Sequence, residues 1–417
     1  MNAGRLSAWL SERLLVGMLA GGVLWVVWIV SLILGSSKTN AQGERIWFDS
    51  TPQLLGADHL AFYSAAKLIQ DGRGDELYDY NTLADYQSDL IGTRFLEAYR
   101  NPPFYALLYV PTARLDYVIS FWIWTAVALL LLWLGIQRLA PARPAAVFVW
   151  ALCFYPIFAA VSFGQNSLLS FAVFCLTFRQ LDRNAPFSAG LAAGLLLYKP
   201  QLLLGLGIWW LLDVRTYWRA LAGLSVTGLV LLGISLLTVR AETFTFVERL
   251  QDIAGYDAFW FYNLHTPRGF WTLLLADNKE WGKYLGGVCS IIALIGLLLF
   301  WRYHRRDQSL MFAAAVFVTL WASPHTMVYD WSLVLIPAVL LWERRPEQRD
   351  QWLPLFAVGW AVLFISTQLA KWMFESTGAA LQLSVPVLAV LAVLAARVLR
   401  REQAGDGKEA EGTPLLQ

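Results

Sequence analysis

Long apolar runs, separated by short polar turns and two long polar stretches, organise this chain. The first run, Leu14 to Leu34, is long enough to cross a hydrocarbon core of about 30 Å at about 1.5 Å per residue. It is longer than the core of a secretory signal and lacks a small-residue cleavage site, so it reads as a retained span. Further spans are expected at Tyr117 to Gln137, Ala145 to Phe163, Ser167 to Phe178, Phe187 to Tyr198, Leu202 to Leu212 and Trp218 to Leu237. Beyond them come Tyr284 to Trp301, Ser309 to Trp321, Met327 to Trp342, Trp352 to Leu369 and Leu381 to Val398, about twelve with the first. The polar stretches cover residues 35–116 and 240–283, and both are too long for simple connections. In the first, Ala61 to Gln70 predicts a short helix, and Phe104 to Leu115 an apolar, Pro-flanked segment along the membrane surface. The expected fold is an all-α polytopic membrane protein, one domain over residues 1–400 with a polar, disordered cytoplasmic tail at 401–417.

Basic residues orient these spans, because cytoplasmic connections carry an excess of Lys and Arg. Arg138 and Arg143, Arg179 and Arg183, Arg215 and Arg219, Arg302, Arg305 and Arg306, Arg344, Arg345 and Arg349, then Arg397, Arg400 and Arg401 fall on one side. The short connections on the other side hold only the isolated Lys199 and Lys371. Merging Phe187 to Leu212 into one span would put Arg215 and Arg219 outside, so two segments broken near Lys199 are expected. Both termini are then cytoplasmic and both long loops lie on the outer face of the plasma membrane. Segments such as Ser167 to Phe178, about 12 residues and roughly 18 Å long, cannot reach the surface. Their outer turns Gly164-Gln165-Asn166, Lys199-Pro200-Gln201 and Ser323-Pro324-His325 should line one outward-facing polar cavity, the setting in which irregular backbone is tolerated at depth.

Composition agrees: of 417 residues, 58% are hydrophobic and only 15% charged, well below the soluble norm of about a quarter. Many aromatics, such as Trp133, Trp209, Trp210 and Trp301, end apolar runs, as interfacial anchors do. A net charge of +2, spread among loops, argues against a nucleic-acid partner. Cys153, Cys175 and Cys289 are widely spaced in apolar runs and suggest neither disulfide nor zinc site. His59 and His304 lack ligand spacing, and no glycine-rich phosphate loop, H-E-x-x-H site or G-x-S-x-G elbow occurs, so no metal or cofactor is expected.

The polar residues that remain are the chemical candidates. Asp58, in Gly56-Ala57-Asp58-His59, is ionised at neutral pH by its ordinary pKa and suits a general base; equally, Asp at a helix start is a favoured N-cap. Lys199, between two apolar runs, is either an anion contact or a side chain reaching back to the interface. His325 could donate to a phosphate oxygen or cap its turn. Gln165 and Asn166 offer amides to sugar hydroxyls, and Tyr329 and the intramembrane Asp330 add polar groups one span away. His265, Arg268 and the string Phe259-Trp260-Phe261-Tyr262 occupy the second long loop, where they either cover the cavity or form plain surface.

Taken in order, Asp58 with Phe62-Tyr63 and Ala66, Leu77-Tyr78-Asp79, Asn101-Pro102-Pro103-Phe104 with Pro111, then the three outer turns resemble glycosyltransferase family 87. That family includes polyprenol-phosphate-mannose-dependent α-1,2-mannosyltransferases, and the resemblance spans roughly Gly56 to Pro337. It implies a GT-C type fold, a polyprenyl-phosphate sugar donor, no metal, and transfer at the outer face to a lipid or glycan acceptor. Asp58 is then the base; Lys199, His325 and Arg268 are the candidates for the donor phosphate. His59, Tyr63, Gln165, Asn166, Gln201, His265 and Asp330 are those for sugar and acceptor. His59 departs from the apolar or aromatic residue expected after the base. The residues alone support the same chemistry: outside the membrane there is no pool of nucleotide sugars, and a one-step displacement would turn a β-linked lipid donor into an α-linked product. Competing readings are a secondary transporter or lipid flippase, which should show repeated halves with a midplane site, and an O-antigen ligase or polymerase.

Overall fold

The computed structural model of the chain describes residues 3–40 and 42–411 and is mostly helical. Among the described residues, five helices are long and apolar enough to cross a membrane: Val16–Ile33, Tyr117–Leu139, Val214–Thr238, Lys279–His304 and Pro346–Thr377. Pro144–Leu152 and Tyr155–Ser162 make a further pair bent by 70°. The remaining expected spans are helical too, but most are short or broken, among them Ser167–Asp182, Pro186–Tyr198, Pro200–Leu212 and Gln308–Ala322. Apolar runs alone therefore suggest about twelve crossings, whereas length and composition support five or six. The last helix, Ser384–Glu411, continues through much of the tail expected to be disordered, and residues 412–417 lie outside those described.

Exposure divides the helices into two sets. Val23, Val26, Leu229, Val230, Ile291 and Ile292 on the long helices are exposed aliphatics, which in water would be a liability and in lipid is the solvated state. Leu168, Phe171, Phe174 and Phe178 on the short Ser167–Asp182 helix, with Met311, Phe312, Val316 and Leu320 on Gln308–Ala322, are buried in one apolar core. The short helices thus form the centre and present their ends to it. Pro186–Gly194 packs closely on Val214–Thr238 through Gly190 and Gly194, where added methyls would strike the Ala220 carbonyl and Thr227.

The first polar stretch has its own core. Ser36–Thr39 and Arg45–Phe48 pair antiparallel with Ser36 opposite Phe48, the one sheet among the described residues of an otherwise helical chain. Ile46, Phe48, Leu60, Phe62, Leu83 and Tyr99 gather beneath this hairpin and the helices His59–Gln70 and Tyr80–Ile91. The expected surface segment after Phe104 is one short helix, Pro103–Ala106, followed by turns. Two devices fix this unit over the helices: the Tyr117 hydroxyl donates to the carbonyls of Leu55 (2.9 Å) and Gly56 (2.6 Å), and Asn101 Nδ2 donates to the Tyr198 carbonyl (2.9 Å).

Candidate active site

Asp58 stands at the first turn of His59–Gln70, the place of an N-cap, yet its backbone is helical (φ −73°, ψ −22°) and its side chain caps nothing. A capping residue takes extended dihedrals so that its oxygen can reach back to the helix amides; here the Asp58 and His59 amides themselves donate to the Phe163 carbonyl, at 3.0 and 3.2 Å. The carboxylate is free to face the Gly164 turn, where Oδ2 accepts from Gln165 Nε2 at 2.8 Å. Burial raises its pKa to about 6, a rise offset in part by the Gln165 hydrogen bond and the charges of Arg100 and Lys199. Gly164 allows this approach: its φ is +71°, and a Cβ there would lie 2.7 Å from that of His59.

The same Gln165 nitrogen donates to the Tyr329 hydroxyl at 3.1 Å. Next to Tyr329, Asp330 accepts from Ser167 Oγ (2.7 Å) and Lys199 Nζ (3.0 Å) through Oδ1, and from the Met327 amide (3.2 Å) through Oδ2. Lys199 is therefore not a lone ammonium, and Asp330 is turned toward the protein instead of a sugar. With side chains only 13% and 5% exposed, each would be costly without the other. Lys199 also lies over the Tyr329 ring, 5.5 Å from its centroid.

His325 packs edge-on to Phe259, ring centroids 4.8 Å apart. Burial holds its pKa well below the usual histidine value, and the charges of Arg100, Arg268 and Lys199 depress it further, so this ring is neutral with three cations within electrostatic reach. Arg268 pairs with Asp257 and leaves its buried Nε without a partner. The close seat of Pro267–Leu274 on Lys279–His304 places it, since a methyl on Gly286 would fall 2.6 Å from the Arg268 Cα. Arg100, which the sequence reading passed over, lies over the rings of Tyr256 and Phe259. Its neighbour Glu97 is pushed well above the usual carboxylate range, first by burial and then by Asp58. The available signal for Arg100 was its place directly before Asn101-Pro102-Pro103.

Other candidates are placed elsewhere. His59 is fully buried inside a ring of Tyr63, Tyr109, Tyr117 and Phe121, with Nε2 3.1 Å from Ser120 Oγ, and burial lowers its pKa to about 3. Tyr63 donates to the Leu115 carbonyl at 2.9 Å. His265 is held between Thr367 Oγ1 (2.8 Å) and Ser384 Oγ (2.7 Å), while its amide donates to the Thr326 carbonyl (3.1 Å), so it pins the second loop to the His325 turn. These three are buried and bound to internal partners, and of their side-chain polar atoms only the His59 Nδ1 has none. Gln201 is half-buried in the turn after Lys199. Asn166 is buried beside the Tyr105 hydroxyl, and neither amide atom has hydrogen-bond geometry to a partner. Below it a cleft with about 400 Å³ of empty space, open mouth included, runs from Gln165 past Tyr109 and Trp124 to Leu131 on the Tyr117–Leu139 helix. Among the described residues no three His, Cys, Asp or Glu side chains gather as metal ligands.

A carboxylate bound to an amide, with Arg100 and Lys199 near it, is an arrangement suited to group transfer, and comparison with known proteins narrows it. The sequence model of glycosyltransferase family 87 matches residues 99–324. The chain belongs to glycosyltransferase family 87. The match takes in Arg100, Gln165, Asn166, Lys199 and Arg268 of this family 87 enzyme; Asp58 lies before it and His325 just after. Neither the curated proteins nor the solved structures gave a match. Membership makes the chain a membrane glycosyltransferase and sets the transporter reading aside.

Proposed function

We propose that this enzyme moves a single hexose or pentose, mannose being the family precedent, from a polyprenyl-phosphate donor to a lipid or glycan acceptor at the outer face of the plasma membrane, within a GT-C type fold. The observation that carries the reading is an uncapped Asp58, bound to the Gln165 amide, beside which stand Arg100 and Lys199, two of the three cations that also act on His325. Asp58 takes the proton of the acceptor hydroxyl as that oxygen bonds to the anomeric carbon. The bond from that carbon to the phosphate oxygen breaks, its electron pair leaves with the polyprenyl phosphate, and Lys199, Arg268 and Arg100 offset the charge that grows there. Neutral His325 donates a hydrogen bond to the same phosphate. One displacement inverts the centre, β-linked donor to α-linked product. The apolar cleft below Gln165 gives a prenyl chain a path toward lipid.

The test uses the purified enzyme in lipid nanodiscs with polyprenyl-phosphate hexoses and pentoses and a total membrane extract as acceptor. Mass spectrometry should show the gain of one sugar residue with a lipid-phosphate donor and none with nucleotide sugars. Transfer from nucleotide sugars alone, or transfer of a whole glycan, would overturn the donor assignment.

A further inference from the structure

Gln165 Nε2 has two hydrogens and both are spent, one on Asp58 Oδ2 and one on the Tyr329 hydroxyl. The Tyr329 oxygen is thereby the acceptor of that bond, and its own proton has no protein acceptor among the described residues. A tyrosine only 9% exposed, joined to Asp58 through Gln165 and covered by the Lys199 ammonium, retains one directed donor that the mechanism above does not use. We infer that Tyr329 donates this proton to the transferred sugar, at the hydroxyl next to the anomeric carbon, and so selects donors that carry a 2-hydroxyl.

This rests on the reaction proposed above and follows from where Tyr329 stands. Its hydroxyl shares one nitrogen with the base, and the Lys199 ammonium lies over its ring. In a displacement, the base-held acceptor oxygen and the departing phosphate oxygen lie on opposite sides of the anomeric carbon. A group that adjoins both flanks that carbon, and only the ring oxygen and the substituent at C2 are then within one hydrogen bond. The ring oxygen gains positive character in the transition state, so a donor aimed at it would oppose the reaction. The 2-hydroxyl has no such conflict, and hydrogen bonds to it strengthen as the sugar approaches the oxocarbenium-like state. Tyr329 would be a sugar-contacting residue, with Gln165 as the part that turns its lone pair inward and its proton outward.

The experiment is a two-by-two cycle. The wild-type enzyme and Tyr329→Phe, which keeps the ring and its place over Lys199, are each assayed with farnesyl-phosphate hexoses of manno, gluco and galacto configuration and farnesyl-phosphate pentoses of arabino, ribo and xylo configuration, with a total membrane extract as acceptor. Each is then assayed with the 2-deoxy counterpart of the sugar used. Loss of one buried hydrogen bond should lower kcat/KM about tenfold to a hundredfold, whether tyrosine or substrate loses its hydroxyl. The two losses should not add: Tyr329→Phe should cost less than about threefold on the 2-deoxy donor. Equal losses on both donors would show that Tyr329 acts only through Gln165 and Asp58, and would overturn the inference. So would a wild-type enzyme that uses the 2-deoxy donor as well as its parent, a comparison that needs no variant to fold. A wild-type enzyme that turns over none of the lipid-phosphate sugars would instead overturn the reaction itself, and the inference with it.

Discussion

Asp58 shows how one side chain can satisfy a local rule in position and break it in geometry. Sequence places it where an N-cap belongs; its helical dihedrals and its bond to Gln165 turn it away from the helix amides and toward the Gly164 turn. Asn caps as well as Asp but has no useful basicity. Asp58→Asn should therefore leave the enzyme folded and able to bind donor while turnover falls roughly a hundredfold to ten-thousandfold, read by single-sugar transfer beside a donor-binding titration. Its pKa of about 6 adds a pH profile. Turnover should rise with pH through that value as the base ionises, and the Asn variant should lose this limb. For stability the sign is opposite: a carboxyl raised above its unfolded value favours the fold fully at low pH, and that contribution is lost as pH rises through about 6. Asp58→Asn should thus melt higher than wild type at pH 7.5 and no higher near pH 4. Lys199 carries a second test. Because it neutralises Asp330, Lys199→Ala should destabilise the enzyme by about 3 kcal/mol or more even without donor, and Asp330→Asn in the same chain should recover much of that. A Lys199 that served the donor phosphate alone would leave the melting temperature of the free protein unchanged.

Turns and short helices place these side chains. The break at Lys199-Pro200 was legible, since proline cannot continue a helix and arginine placement demanded two segments. It forms as two stretches of 3₁₀ helix that meet at Lys199, whose dihedrals are non-helical (φ −133°, ψ 73°). The helix after Asp58 was legible too, beginning two residues before the expected Ala61. The hairpin at Ser36–Thr39 and Arg45–Phe48 was not, because four-residue strands leave too short a pattern to separate from loop. The Gly164 turn joins these elements into a site. Gly164→Ala would force a side chain into a left-handed backbone and against His59. Since His59 follows Asp58 directly, the base should move with it. Turnover should fall at least tenfold, while donor affinity, which the proposed mechanism assigns to Lys199, Arg268 and Arg100, should change little; steady-state kinetics and a binding titration on one preparation separate the two.

For the assembled chain, the arginine pattern sets an expected topology that labelling can check. With Cys289 replaced by Ser, cysteines introduced at the exposed Asp75 and Asp277 should react with an impermeant thiol reagent in intact cells, and one at Glu347 only after lysis. Equal labelling of all three would refute the shared outer face of the long loops. The membrane class and the helical segments were readable along the chain, and so was the candidacy of Asp58, Gln165, Lys199, Arg268 and His325, because lipid punishes polar groups wherever they fall and so marks them in one dimension. Which of those groups face one another was not. His59 and His265 look as suited to a ligand as His325, yet one is enclosed by aromatic rings and the other pinned between two hydroxyls. Arg100 looks like any loop arginine until the fold brings it beside residues far away in the chain. Burial, ion pairing and the direction of a hydrogen bond belong to pairs of residues and depend on distances in space. Apolar patterning sets each segment's environment, and only packing sets its partners.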